Sequence, residues 1–566
     1  MIKLLDTIHT FGGDYHPLLT LFLATTIYLL GEAIYNAYFH PLADVPGPFW
    51  CKVSSWPSYL HARTGSRHIW IWQNHQIYGD RFRYKPNGVL IASPKGYRDI
   101  YNAKANVKKA KWYAVWQRPH DELSALSAID PHKHMLLRRP LNNAFSEKSL
   151  RSSEPYIIKH IDKWIELLLD GEKTKGMTEW ATPKNLGGEW ADYLVFDILC
   201  DLCFGKSFET VEPESPVRQI PHIIGEYLHL MNTVCRKHVI RKRCVANIHY
   251  FKIAHAPFRD CWVWLKPRGL DKALSLLSPK NVVNFYQFLG KCVAEREEQE
   301  KTLEKEDVHD GRKDIFHYLY QAKKADNALP SDTKGLFASA NLLVTAGSDT
   351  TATALCSALF YLTRNEHVYN KLAKEIRDTF LSVEDIHGGH TLSNCQYLHA
   401  VCLEAMRMAP SAPSELARQV LPGGHTINEQ YYTEGTEIGA SNYSANYHED
   451  TYGDPFVFRP ERWISNKEAG ITVEQVAVLK EAFSPFSIGP SQCPGKNLAL
   501  LEMYIVLGRM IHACDIRRSV DDVGDRGAGS PELIWGRRNT HQYQVRDAFL
   551  GLRNGPVVQL CRRVKV

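Results

Sequence analysis

Nothing in these 566 residues marks an internal division: there is no repeat, no low-complexity tract and no long linker rich in Gly, Ser or Pro. With 44% hydrophobic residues available to fill a core, the simplest organisation is one large folded unit with an N-terminal appendage. Net charge is scarce. A formal +6 is no footprint for nucleic acid at this size, although a mildly basic surface suits an anionic membrane or an acidic protein partner. The thirteen cysteines are odd in number and scattered, which argues against a disulfide framework and suits a reducing compartment. The single Cys-x-x-Cys, Cys200 and Cys203, has no second pair at zinc-finger spacing. Its surroundings, apolar from Leu194 and closed by Phe204-Gly205, read as a buried helix ending at glycine rather than as a zinc or redox site. No Gly-rich dinucleotide fingerprint follows a predicted strand.

Long apolar runs are equally rare, and the one present lies at Pro17–Phe39, interrupted by Glu32. It reaches the roughly 20 residues a bilayer needs only with Glu32 near the interface. Tyr35, Tyr38 and Phe39 then stand where an aromatic belt would lie. A cleaved signal peptide is the rival reading, but no small-x-small cleavage site follows Leu30. The run passes instead into the proline-rich His40–Pro48, which cannot continue a helix and reads as a stiff hinge. The expected division is an anchor segment 1–39, a hinge 40–48 and a body 49–566.

Cys493 stands in Phe486-Ser487-Ile488-Gly489-Pro490-Ser491-Gln492-Cys493-Pro494-Gly495-Lys496, just before the helix-forming run from Asn497. Gly489 and Gly495 let the backbone approach something bulky without a Cβ in the way. A helix N-terminus places free N–H groups and the positive end of the dipole near the sulfur, which favours a thiolate. Such a thiolate, kept from oxidation by apolar neighbours, is what an iron ligand needs. Upstream lie Ala346-Gly347-Ser348-Asp349-Thr350-Thr351, then Glu404-Ala405-Met406-Arg407, then Phe458-Arg459-Pro460-Glu461-Arg462-Trp463. Together, in this order, the four segments resemble the signatures of the cytochrome P450 family, from about Pro46 to the C-terminus.

The resemblance implies a mainly α fold with small β-sheets (α+β), binding haem b (iron protoporphyrin IX) between a long distal helix and the cysteine loop. In it Cys493 is the axial iron ligand, with Phe486 packed near the sulfur. Asp349 and Thr350 relay protons to dioxygen from a buried helix of about 331–362, where Ala346-Gly347 thins the wall. Glu404, Arg407 and Arg462 brace the loop from the proximal side. The family often places Arg or His two residues before the cysteine to hold a haem propionate; here that residue is Ser491. Counting back from Phe145 puts Arg138 and His134 at two further propionate positions on one helix face, and Arg418 matches another.

The resemblance further implies a monooxygenase with electrons from NADPH through a separate NADPH-cytochrome P450 reductase. It also implies an endoplasmic-reticulum membrane anchor with a cytosolic body. The hinge, the Ile77–Tyr84 region and the residues after Cys493 resemble filamentous-fungal members, many of which hydroxylate, epoxidise or desaturate apolar secondary metabolites. Candidate pocket residues are Trp112, Tyr113, Trp116 and Met408. Phe258, Trp262, Trp264 and Leu265 are candidates for dipping into lipid, and the basic cluster 236–243 for resting on headgroups or facing water. Two alternatives remain: a reductase-independent isomerase or dehydratase, which needs no proton relay, and a non-catalytic haem-binding membrane protein.

Overall fold

The computed structural model describes residues 16–117, 123–170, 179–224, 259–265, 280–306, 312–325 and 333–563, with His255 and Arg268. Phe258 and the basic cluster 236–243 lie outside the described residues. The helices that position the site are α1 (His16–Ile34), α2 (Arg67–Tyr78), α3 (Pro131–Ala144), α4 (Ala191–Phe204), α5 (Thr333–Leu362), α6 (Gln396–Met408) and α7 (Lys496–Ala513). Apart from a separate hairpin, His425–Ile427 with Gln430–Tyr432, the strands among the described residues are β1 (Arg81–Lys85), β2 (Gly88–Ile91), β3 (Val107–Lys109), β4 (Lys184–Asn185), β5 (Arg418–Val420) and β6 (Glu437–Ala440). They continue as β7 (Cys514–Arg518), β8 (Arg546–Ala548), β9 (Leu550–Leu552) and β10 (Val557–Arg562).

A five-stranded sheet runs in the order β1-β2-β6-β5-β3, antiparallel except for the β2–β6 pair, which places Leu90 opposite Gly439. Val89, Leu90 and Ile91 are all buried, as a strand covered on both faces requires. A second sheet runs β4-β10-β7, and β8 and β9 form a hairpin.

The helical core gathers around α5, which packs against α4, α6 and α7. Small buried residues let those neighbours come close: Ala338, Ala340, Ala352, Ala354 and Ala358. A helix this short of charge is stable only where partners cover most of its circumference. At Gly347 a Cβ would lie 2.7 Å from Leu199 Cδ1 of α4. The missing side chain thus seats α4 on α5 as well as thinning the cavity wall. α4 itself ends at Gly205 in the left-handed conformation (φ 71°), with Cys200 and Cys203 fully buried in its core face. Burial pushes both thiols far above their ordinary range.

At the N-terminus, α1 passes through a wide turn, Tyr35–Phe39, and Leu19–Phe39 is long and apolar enough to cross a membrane. Tyr35, Tyr38 and Phe39 are exposed. The following proline-rich stretch is strapped to the sheet. The wholly buried Arg83 of β1 donates to the carbonyls of Asn36 (2.8 Å), Leu42 (3.2 Å) and Pro86 (2.6 Å), and its N–H donates to Pro46 O (2.7 Å). Trp264 and Leu265 are exposed at the end of the helix Arg259–Leu265. Arg259, at its start, is tied to Glu437 of β6 at 2.7 Å.

Candidate active site

A cavity of about 370 Å³ lies between α5 and the segment leading into α7. Its walls carry residues from nearly every motif singled out above: Thr350 and Thr351 from α5, His134 and Arg138 from α3, Arg418 from β5, and Phe486, Ser491, Cys493 and Gly495 from the cysteine loop. The remaining lining is largely apolar, with Trp116, Leu126, Leu342, Phe549 and Leu550 prominent.

The cysteine loop is set by its own backbone. Cys493 N–H donates to Phe486 O at 2.8 Å, closing the turn before α7 begins at Lys496. Gly489 sits at φ +68°, and a Cβ there would collide with the carbonyl oxygen of Tyr101. Its constraint therefore comes from the chain itself, not from a bound group. Gly495 behaves differently. Among the described residues, the non-adjacent atoms near a Cβ built there are Cys493 Sγ and Phe145 Cε1, both at 3.9 Å, so the glycine leaves open space beside the sulfur. Cys493 opens to this cavity, and its thiol is raised from the ordinary range because burial outweighs the rest. The N–H groups of Gly495 and Lys496 and the Arg138 charge pull it back down. The expected donors are present, but alone they do not make the cysteine a thiolate; a bound cation would.

Basic groups also line the cavity, Lys109, His134, Arg138 and Arg418 among them. Arg138 donates through Nη1 to Gln492 O and through Nε to Asn142 Oδ1 (2.7 Å), so α3 grips the loop one residue after Ser491. Arg418 lies 5.0 Å over the Tyr101 ring and donates to Tyr113 Oη at 3.2 Å. Lys109 of β3 joins them, its Nζ donating to Ala125 O (2.6 Å) and Leu126 O (3.0 Å). Burial, then Arg418 and Arg138, pull Lys109 down to about 7. Burial, then Lys109, Arg138 and Arg418, pull His134 down to about 4. Among the described residues, none of the charges that shift these groups is a carboxylate. A cavity with a thiol on one wall, open space beside the sulfur and mutually repelling cations in its lining fits a metal-bearing dianion. Haem, with iron and two propionates, is such a group. Cys493 would hold the iron, and His134, Arg138, Arg418 and Lys109 would face the propionates. Lys109 escaped the sequence reading because it lies outside all four signature segments, three residues before the first pocket candidate, Trp112.

The Lys109 shift has a measurable consequence. Its folded value lies below the unfolded one of about 10.4, so the unfolded chain binds the extra proton between the two. The stability of the haem-free protein therefore rises with pH from about 7 to about 10.4 at this site. Lys109→Met should remove that slope in urea unfolding of the haem-free protein; an unchanged slope would refute the assignment.

Glu404 is wholly buried and accepts from Arg407 Nη2 (2.8 Å) and Nε (2.9 Å), Arg462 Nε (3.0 Å) and Trp463 Nε1 (2.9 Å). Arg407 and Arg462 spend their other donors on carbonyls of Asn446, Pro455, Tyr452, Asp454 and Val457. The three expected partners are thus brought together, with the Trp463 indole as a fourth.

The distal pair departs from expectation. Thr350 lines the cavity, its hydroxyl donating to Ala346 O at 2.9 Å. Asp349 does not line it. Its Oδ1 accepts from Arg553 Nη1 at 2.8 Å, and Arg553 Nη2 also donates to Asp192 of α4. Burial, together with the neighbouring Asp349, pushes Asp192 up to about 6 despite that arginine. Of the pocket candidates, Tyr113 and Trp116 line the cavity. Trp112 packs behind them on Phe549 (4.7 Å), and Met408 is buried core, with Met406 at the wall instead.

Comparison with known proteins decides the family. The sequence pattern of the family described as Cytochrome P450 matches residues 46–527. The chain belongs to the cytochrome P450 family. It is similar to Cytochrome P450 monooxygenase poxM of Penicillium oxalicum, 32% identical over 95% of this chain and 94% of that protein. Similarity also extends to Cytochrome P450 monooxygenase apf7 of Gibberella fujikuroi (30%, over 94% and 95%) and atnE of Emericella nidulans (31%, over 85% and 86%). This P450 is accordingly a haem-dependent oxidoreductase of the monooxygenase type, with the mainly helical fold and small sheets described above. Members of the family generally work with a redox partner and on apolar substrates.

Proposed function

We propose that this P450 is a membrane-anchored monooxygenase that hydroxylates, epoxidises or desaturates an apolar small molecule in fungal secondary-metabolite biosynthesis. The carrying observation is the apolar chamber walled by Trp116, Leu126, Leu342 and Phe549, which opens onto the Cys493 loop. When bound there, haem supplies dioxygen activation through a cysteine-ligated iron. The chain's own part is to exclude water with that apolar wall, to hold the propionates with the basic lining residues, and to present the Thr350 hydroxyl to the chamber.

Segment 1–39 anchors the protein in the endoplasmic-reticulum membrane, 40–48 fixes the exit angle, and 49–566 forms the cytosolic body. The apolar span Leu19–Phe39 and the Arg83 strap on the hinge support that division. Electrons come from NADPH through the separate NADPH-cytochrome P450 reductase. Reduced, CO-treated protein should show the thiolate-shifted Soret band, and reconstitution with reductase should give NADPH-dependent oxygen uptake. An intact band without uptake would mark reductase-independent chemistry instead. Metabolite profiling of a deletion strain then identifies the substrate by what accumulates.

A further inference from the structure

The tip of the terminal hairpin is a single residue. Ala548 of β8 pairs with Leu550 of β9, so the chain reverses through Phe549 alone. Phe549 stands at φ +73°, where bulky side chains seldom occur, and among the described residues it is the sole aromatic at positive φ. Its ring lines the cavity and meets Trp112 at 4.7 Å and Trp116 at 5.3 Å, and those two indoles lie 5.6 Å apart. Three rings in mutual contact build this wall, and the Phe549 backbone decides whether the third stands in it.

One carboxylate holds that backbone. Asp547, 3% exposed, accepts from the Phe549 N–H through Oδ1 at 3.0 Å. Its Oδ2 accepts from Ser414 Oγ, which in turn accepts from Arg67 Nη1 at 3.3 Å. Arg67 is wholly buried and fixed from behind, donating through Nη2 to Glu415 Oε1 (2.8 Å) and through Nε to Ser58 Oγ (2.9 Å). None of these supporting groups lines the cavity; they reach it only through Phe549. The strands are pinned independently of the carboxylate. Asp547 N–H donates to Gly65 O (2.8 Å), Gly551 N–H to Ser411 O (2.8 Å), and Thr353 Oγ1 to Gly551 O (3.0 Å). The Asp547 side chain therefore sets the conformation of the tip, while the other bonds set the place of the hairpin.

We propose that Asp547 is a positioning residue for substrate selection, holding Phe549 in the left-handed conformation so that its ring completes the aromatic wall. The inference rests on the haem-monooxygenase reading above. A strained backbone persists only where its surroundings over-determine it. Without the Asp547 acceptor, Phe549 relaxes to negative φ, its Cα–Cβ bond turns to the other side of the hairpin, and the ring leaves the wall. Selection at this wall is by shape: it takes an apolar skeleton that is narrow where it passes the three rings and refuses one that is bulky there. The charged chain that enforces this choice joins residues 58, 67, 414, 415 and 547, and touches no substrate itself.

Imidazole and 4-phenylimidazole are a small and a bulky ligand of haem iron, and the Soret shift of the full-length ferric holoprotein gives a Kd for each. Phe549→Gly removes both the strain and the ring, and Asp547→Ala removes the acceptor. Each should favour 4-phenylimidazole over imidazole by a factor on the order of 10 relative to wild type. Asp547→Asn keeps an oxygen for the Phe549 N–H and should hold the wild-type ratio. Adding Asp547→Ala to Phe549→Gly should change the ratio no further, because the carboxylate acts only through that ring. An unchanged ratio in Asp547→Ala, an Asp547→Asn ratio equal to that of Asp547→Ala, or a further shift in the double variant overturns the proposal and leaves the haem reading standing. If Asp547→Ala takes up no haem, Ser414→Ala, which loosens the carboxylate at Oδ2 alone, is measured in its place; a shift of the same sign supports the proposal and an unchanged ratio overturns it. Wild-type protein whose Soret band does not respond to imidazole itself removes the haem reading and the proposal together.

Discussion

Cys493→Ser should abolish both the thiolate-shifted Soret band of the reduced, CO-bound protein and all reductase-dependent oxygen uptake. The two atoms differ little in size, so the turn closed by Cys493 N–H on Phe486 O should persist and the circular dichroism should not change. What is lost is chemical. A thiol can be deprotonated at a metal, and the Gly495 and Lys496 N–H groups with the Arg138 charge already favour that step against burial. A serine hydroxyl is far less acidic, and the same donors cannot close the gap. Loss of electron donation to iron removes the drive for O–O cleavage. A retained thiolate-type band in this variant would move the ligand to another residue.

Glu404→Gln should unfold the proximal side, costing ~3–5 kcal/mol in urea unfolding and releasing haem in parallel. Arg407 and Arg462 are almost fully buried, and Glu404 is the one carboxylate they share. A neutral amide there leaves two guanidiniums without their counter-charge. Coulombic attraction and hydrogen bonds hold the Glu404 carboxyl below its ordinary value even against burial. Its stabilisation is present above the unfolded value, about 4.3, and disappears as pH falls through the lower folded value. The variant should therefore lose stability at neutral pH but show less acid sensitivity than wild type. Equal stability and haem content would show that the cluster does not brace the loop.

Local patterns were legible in the chain because their physics is local. The turn before α7, the Glu404–Arg407 pair three residues apart and the long α5 each depend on neighbours in sequence. The helix expected over about 331–362 runs from Thr333 to Leu362. What escaped was set by tertiary placement. Asp349 points to Arg553, 204 residues downstream, and no helical periodicity encodes that choice. Lys109 enters the cavity because β3 pairs with β5, which also carries Arg418. Gly489 reads as room for a cofactor until the Tyr101 carbonyl is seen against it. Met408 and Met406 are both plausible wall residues until the rotation of α6 is known.

The shared family pattern stops at residue 527, yet Phe549 and Leu550 roof the chamber and Arg553 holds Asp349. The terminal segment thus belongs to the chamber as much as the cysteine loop does, since it supplies both part of the wall and the arginine that fixes the carboxylate of the distal helix. The last strands of the chain close the room in which the first motifs work, so the chamber is complete only once the tail has docked.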